Sequence, residues 1–352
     1  MKARNAQTLV KVLSLGAATA VVLTGCGGSG AAGGSNFATS FATSYSMTAI
    51  DAPADGSGLQ LRLVSRNGKM GGFYMLTGGN KACFSVVNGV AVRQTPTDKY
   101  CNPLAISNDG TIDGYVTSSS NLSIPFTTHG GSFQEIALPT GEDEGEVECR
   151  DSAGNAYVNC WDSSYKLTAY RYDGTTMTPI TVPGMDETWV LAVAPGGMAL
   201  VMGRTGGTKT YAWLMPNATA GTPLDWSPTF GSVSSVNDDQ TIVGSKQVGA
   251  STLAYYAVDG QEYTVSPFSG STYYAVLASV SKGNLAVGQD DHGQASAVAW
   301  SKNDGAIDLS TRIQLVTGQS FSFAFGVSDS GVIVGQGVDA SGGCGMVLTP
   351  AN

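Results

Sequence analysis

The chain has 352 residues, 47 of them Gly, and its charged fraction is 13% where about 25% is usual, so its surface is built mainly from Ser, Thr, Asn and Gly. A hydrophobic fraction of 42%, with 5 Trp, 14 Tyr and 11 Phe, suffices for a sizeable core and excludes a disordered polyanion; the glycine excess has no Gly-X-Y period, which excludes collagen. A formal charge of -9 and a pI near 4.6 argue against nucleic acid or an anionic lipid surface as the main partner.

In chain order, Lys2, Arg4 and Lys11 precede an apolar run from Val12 to Leu23 that is too short to span a bilayer and ends in Leu23-Thr24-Gly25-Cys26. Residues 1–25 therefore read as a signal peptide. The LTGC string resembles the lipobox of bacterial lipoproteins, which implies that Cys26 becomes the first residue and carries diacylglycerol and an N-acyl chain such as palmitate. Gly27 rather than Asp follows, and the same resemblance then implies sorting to the outer membrane. Residues 26–44 read as the acylated Cys and a flexible Gly/Ser/Ala tether. Removing the leader with its three cations takes the net charge to about -12.

Residues 45–352 form a single repetitive domain. A strand, a small-polar turn and a second strand recur with turn residues Gly68, Gly110, Gly154, Gly197, Gln240, Asn284 and Gly331, spaced by 42, 44, 43, 43, 44 and 47. About 14 residues on, an Ala opens a third strand (Ala82, Ala169, Ala212, Ala254, Ala297), and a two-residue turn such as Asn88-Gly89 or Asp259-Gly260 leads to a fourth. Four antiparallel strands per unit predict an all-β, seven-bladed β-propeller. The last unit stops after its third strand, and Ser46 to Ala52 match a fourth strand, so the N-terminal strand is expected to close the ring.

With the S-x-x-G-x-x-x-G hairpin, the short third strand and the D-G turn, the units resemble the HAF-type repeats of extracytoplasmic bacterial proteins. The Ala of the His-Ala-Phe triplet persists, whereas its His is replaced by Lys81, Thr168, Tyr211, Leu253 and Ser296. The resemblance implies secretion and repeat architecture, and it supplies no catalytic residue.

The chemistry-bearing residues are sparse. The two histidines, His129 and His292, fall in turns, and no P-loop, nucleophile elbow, zinc or EF-hand motif is present, so no catalytic residue, metal or cofactor is assigned. Glu142, Asp143, Glu144, Glu146 and Glu148 read as an acidic loop, with calcium binding left open. Cys149 and Cys160 flank the Gly154-Asn155 turn symmetrically and are expected to pair across a hairpin; Cys83 and Cys101 lie toward one ring face as a second candidate pair, and Cys344 reads as a buried thiol.

Hairpins joining strands one to two and three to four occupy one face of such a ring, and the connections entering each blade share the other with the loops joining strands two to three. Those connections carry Tyr100, Trp189, Phe230, Tyr273, Tyr274 and Phe321, with Glu144 beside them, and this face is the expected ligand-binding surface. The sequence thus points to an outer-membrane lipoprotein, periplasmic or surface-exposed, that acts as a binding or assembly module for an envelope protein or polysaccharide. A polysaccharide-active hydrolase or lyase using channel-mouth carboxylates is the alternative.

Overall fold

The computed structural model describes residues 38–265, 274–291, 295–315, 318–339 and 342–351. After the N-terminal strand β1 (Tyr45–Ile50), the β-rich repeats fold into antiparallel sheets in chain order. One sheet contains β2 (Gly56–Val64), β3 (Met70–Leu76), β4 (Lys81–Val87) and β5 (Val90–Arg93). The next contains β6 (Tyr100–Ile106), β7 (Ile112–Thr117), β8 (Ser123–Thr127) and β9 (Gln134–Glu135). Then follow β10 (Glu142–Arg150), β11 (Ala156–Asp162), β12 (Leu167–Tyr172) and β13 (Met177–Ile180), and after them β14 (Glu187–Val193), β15 (Ala199–Thr205), β16 (Thr208–Leu214) and β17 (Thr222–Pro223). Strands β18 (Ser232–Val236), β19 (Ile242–Val248), β20 (Ser251–Val258) and β21 (Gln261–Val265) share a sheet with β22 (Tyr274–Val280), β23 (Ala286–Asp291), β24 (Ala295–Ser301) and β25 (Gly305–Asp308). A single parallel pair, Thr252 with Tyr274, joins these two groups. The last sheet orders β1, β28 (Gly342–Pro350), β27 (Ile333–Asp339) and β26 (Ser320–Val327).

The first strand of each group, β2, β6, β10, β14, β18, β22 and β26, contacts its counterpart in the next group, and β26 contacts β2 again. The sheets therefore surround one axis, which is the arrangement of a β-propeller. Apolar side chains alternate along the strands and fill the space between neighbouring sheets: Leu59, Leu61, Tyr74 and Phe84 pack with Val334 and Val347 of the last sheet.

The seven recurrent turn residues all adopt a left-handed backbone, from φ 59° at Gln240 to 91° at Gly110 and Gly154. In each turn the fourth residue donates its amide to the carbonyl of the first, as Gly68 does to Ser65 at 3.0 Å, and the first donates to the fifth, as Ser65 does to Lys69 at 2.8 Å. This geometry favours Gly and tolerates Asn, which explains the residue types at the period. Opposite each turn's second strand, the first strand carries a bulge. At Gly72 a Cβ would fall 1.9 Å from the Gln60 carbonyl oxygen, so this close approach requires Gly.

Strand β1 pairs antiparallel with β28 from Tyr45 opposite Pro350 to Ile50 opposite Gly345, so the two ends of the chain complete one sheet. The expected tether ends earlier than Ser44. Phe41 is 5% exposed in the core, its amide donates to Asp304 Oδ2 at 3.0 Å, and Arg312 donates to the Ala42 carbonyl at 3.0 Å. An isolated aromatic in a Ser/Thr-rich stretch supplies this anchoring, which composition averages away. The leader, Cys26, Tyr273 and His292 lie outside the described residues.

Two further expectations are corrected. The turn after β10 spans Asp151 to Asn155 and is centred on Ala153, and β10 is bulged, so Cys149 lies opposite Tyr157 and Cys160 opposite Gly145. Cys160 is a buried free thiol, raised in pKa by burial, and the Cys149–Cys160 bridge does not form. Cys83 and Cys101 do form a disulfide, with Cα atoms 5.8 Å apart, that staples β4 to β6. The acidic stretch is not a loop: Glu142–Arg150 is the innermost strand β10, and alternation of Glu along it is the period-2 pattern of a strand.

Candidate functional site

One position recurs along the first strands. The unpaired residue of the bulge in each first strand lies six residues before the turn residue: Arg62, Leu104, Glu148, Leu191, Ser234, Ala278 and Phe325. A bulge re-aims its extra side chain, and two of these, Arg62 and Phe325 on neighbouring sheets, meet with the guanidinium carbon 4.8 Å from the ring centre.

Around this contact the structure gathers a basic and aromatic cluster. Arg62 also lies 5.2 Å from the centre of the Phe73 ring on β3, and Lys81 Nζ at the start of β4 lies 4.3 Å from the same ring. Lys81 stands 4.8 Å from the ring of Tyr100, which is 38% exposed at the start of β6, and donates to Asn102 Oδ1 at 2.6 Å. Arg62 is 8% exposed; its Nε donates to Gln60 Oε1 at 2.7 Å, and its terminal nitrogens make no hydrogen bond to any described residue. Burial pulls the Arg62 pKa down to about 10, and burial together with the Arg62 charge pulls Lys81 down to about 8. Cation–π contact stabilises such charges in part. Strand direction puts the starts of β4 and β6 on the face of the entering connections, opposite the β2–β3 and β4–β5 turns.

Of the residues expected to form the ligand surface, Tyr100 joins this cluster. Trp189 instead carries Arg204 at 5.0 Å, which is ion-paired to Glu187 at 2.6 Å. Phe230 is wedged between Tyr211 and Tyr255, at 4.7 and 5.7 Å, and Phe321 is 4% exposed in the core; both are packing residues. Tyr274 is partly buried opposite Asp291, with its phenol pKa raised by burial. Glu144 accepts from the Ser123 amide at 3.3 Å, and its neighbour Glu142 accepts from the Tyr170 hydroxyl at 2.8 Å, so β10 engages these carboxylates in sheet contacts.

Two other polar features are satisfied locally. Arg150 donates to both oxygens of Asp113 at 2.9 Å and to Thr127, a buried pair that ties β10 to β7. A groove of about 420 Å³ lies on the hairpin face beside Lys69, Asp109 and Thr128; there Asp109 accepts from the Thr111 amide at 2.9 Å and Thr128 Oγ1 from the Ile112 amide at 2.8 Å. Among the described residues no group of His, Cys, Asp or Glu is arranged to hold a metal ion. In the groove Asp109 and Thr128 are satisfied locally, whereas the terminal donors of Arg62 are unpaired and still reach solvent.

No protein-family model matches the chain, and no curated protein matches it. Among solved structures, YCF48 bound to a D1 peptide is similar at 13% identity and a TM-score of 0.47, over 88% of this chain and 95% of that one. TolB from Acinetobacter baumannii is similar at 17% identity and a TM-score of 0.40, over 55% and 50% of the two chains. A puromycin-hydrolyzing peptidase of Mycobacterium tuberculosis is similar at 9% identity and a TM-score of 0.51, over 88% of this chain and 51% of that one. This last likeness concerns the fold alone, and the chain spans about half of the peptidase's length.

Proposed function

We propose that the protein is a seven-bladed β-propeller that acts as a binding module, rather than an enzyme, for a partner in the bacterial envelope. Its HAF-type repeats and its leader support secretion, and the LTGC string supports anchoring to the outer membrane through acylated Cys26. The seven repeats support the blade count, with the group of β18 to β21 and that of β22 to β25 read as separate blades whose strands are paired at one residue pair.

The observation that carries the binding reading is the Arg62 guanidinium, buried beside Phe73 and Phe325 with its terminal N–H donors uncommitted. Rigid rings around a buried arginine are the composition of a recognition hot spot. Replacing Tyr100 by the photo-crosslinker p-benzoylphenylalanine in the native envelope is expected to capture one discrete partner. The same replacement at Val90, 63% exposed beside the β4–β5 turn on the opposite face, is expected to capture none. Equal capture from both positions would overturn the reading.

A further inference from the structure

We infer that the Arg62–Lys81 cluster receives a carboxylate of an acidic peptide segment. The inference rests on the reading of this face as a binding surface and narrows it to one ligand chemistry.

The first support is the unfilled donor set. Arg62 is 8% exposed, yet only its Nε is hydrogen-bonded, to the neutral Gln60. Its terminal nitrogens are unpaired but not sealed from solvent, so a planar carboxylate can reach them and bridge both with two charge-assisted hydrogen bonds. The second is the neighbouring charge. Lys81 also bonds a neutral group, Asn102, so two cations share the Phe73 ring with no carboxylate among the described residues paired to either. The rest of the chain carries a net charge of the opposite sign, -9 overall, so the cluster is a local reversal of the protein's field.

The third support separates a peptide from an acidic sugar chain. Sugars bind aromatic sites by laying a C–H face on an open ring. Here Phe73 carries both cations, Tyr100 carries Lys81, and Phe325 carries Arg62 and lies parallel to Phe323 at 5.9 Å with an interplanar angle of 2°. The rings are engaged by cations and by each other, which leaves N–H donors as the points of attachment and favours a flexible carboxylate side chain.

The test uses the full-length chain in detergent, titrated with an end-blocked tetraglutamate peptide, its tetraglutamine counterpart and trigalacturonate. Tetraglutamate is expected to bind at least tenfold more tightly than tetraglutamine, and trigalacturonate is expected not to displace it. Arg62→Gln and Lys81→Gln are each expected to weaken binding at least fivefold, with a double variant that loses less than the product of the two. Arg62→Lys, which keeps the charge and loses the fork, covers the case in which Arg62→Gln fails to fold, and its expected affinity is intermediate. Equal binding of tetraglutamine, preferential binding of trigalacturonate, or wild-type affinity in the Arg62→Lys and Lys81→Gln variants would each overturn the inference. Capture of a partner at Tyr100 without tetraglutamate binding overturns the carboxylate assignment and leaves the binding surface standing; failure of capture at Tyr100 overturns the binding surface itself.

Discussion

Arg66, in the turn after β2, and Asp329, in the turn after β26, join the first and last turns of the repeat. Their side chains pair at 2.8 Å, and the Asp329 amide donates to the Arg66 carbonyl at 3.0 Å. Asp329 also accepts from the Lys282 amide at 2.8 Å, and comparable links run from Asn67 to Asn108, Gly196 to Asp238 and Asn237 to Ser281. The hairpin turns thus form a hydrogen-bonded belt, and the Arg66–Asp329 pair fastens it where the chain ends meet.

Removing one partner leaves Arg66, 7% exposed, as an uncompensated buried charge whose Nε and Nη2 already lack partners in the described structure. Asp329→Ala is expected to destabilise the fold by about 2 kcal/mol, less than a fully buried pair because Asp329 is itself 24% exposed. Loss of the exposed Arg93–Asp55 pair is expected to change stability by less than about 0.5 kcal/mol. Urea denaturation of the two variants checks this ordering.

Closure by β1 has its own signature. Deleting Tyr45–Ile50 strips β28 of its partner along the whole register from Gly345 to Pro350. The expected outcome is loss of amide-exchange protection in β28 and a lower melting temperature, since an unpaired sheet edge remains. Unchanged protection in β28 would contradict closure.

The thiols distinguish strand register. In oxidised protein Cys160 is expected to alkylate only after unfolding, because it is buried, while Cys83 and Cys101 are expected to resist alkylation until reduced. Replacing the latter pair by Ser is expected to cost about 3 kcal/mol for a loop of 18 residues.

The repeat was legible because its punctuation is backbone chemistry: a left-handed turn residue every 42 to 47 positions leaves Gly, Asn or Gln at each site. The site was legible only through Tyr100. Aromatics recur ten residues before the turn at Tyr100, Phe230, Tyr274 and Phe321, and that register is mainly inter-sheet packing. The bulge register that carries Arg62 lies six residues before the turn, where the residue type changes from Arg62 to Leu104 to Glu148. A position that varies in this way gives no periodic signal, and only the bulges reveal it. The Cys149–Cys160 pairing failed because the turn is centred on Ala153 and not on Gly154-Asn155, which sets Cys149 opposite Tyr157, and the bulge moves Cys160 one residue further, to Gly145.

Lys81 sets a pH dependence with opposite signs for folding and binding. Its pKa is lowered to about 8 in the folded chain from 10.5, so between those values the unfolded state binds more protons and stability rises with pH. Binding of tetraglutamate falls as Lys81 loses its proton, with the fall displaced upward because the bound carboxylate favours the charged amine. Arg62 and Tyr100 are the other charged or titratable groups facing Lys81, and Arg62 remains charged at pH 8. Lys81→Arg is expected to flatten both slopes, as read by urea denaturation and titration across pH 7 to 10.

Anchoring is tested at Cys26. Cys26→Ser is expected to yield unprocessed precursor or soluble protein in fractionated cells, with loss of fatty-acid label. Wild-type membrane partitioning and labelling would exclude acylation at this residue.

Zero-length carbodiimide coupling in the native envelope, followed by mass spectrometry, tests the central claim most directly, because it joins an amine only to a carboxylate in contact with it. The predicted result is an amide between Lys81 and an Asp, Glu or C-terminal carboxylate of a single partner protein, suppressed by excess tetraglutamate. Coupling through the exposed Lys282 and Lys302, with Lys81 unmodified, would contradict an acidic partner at this cluster.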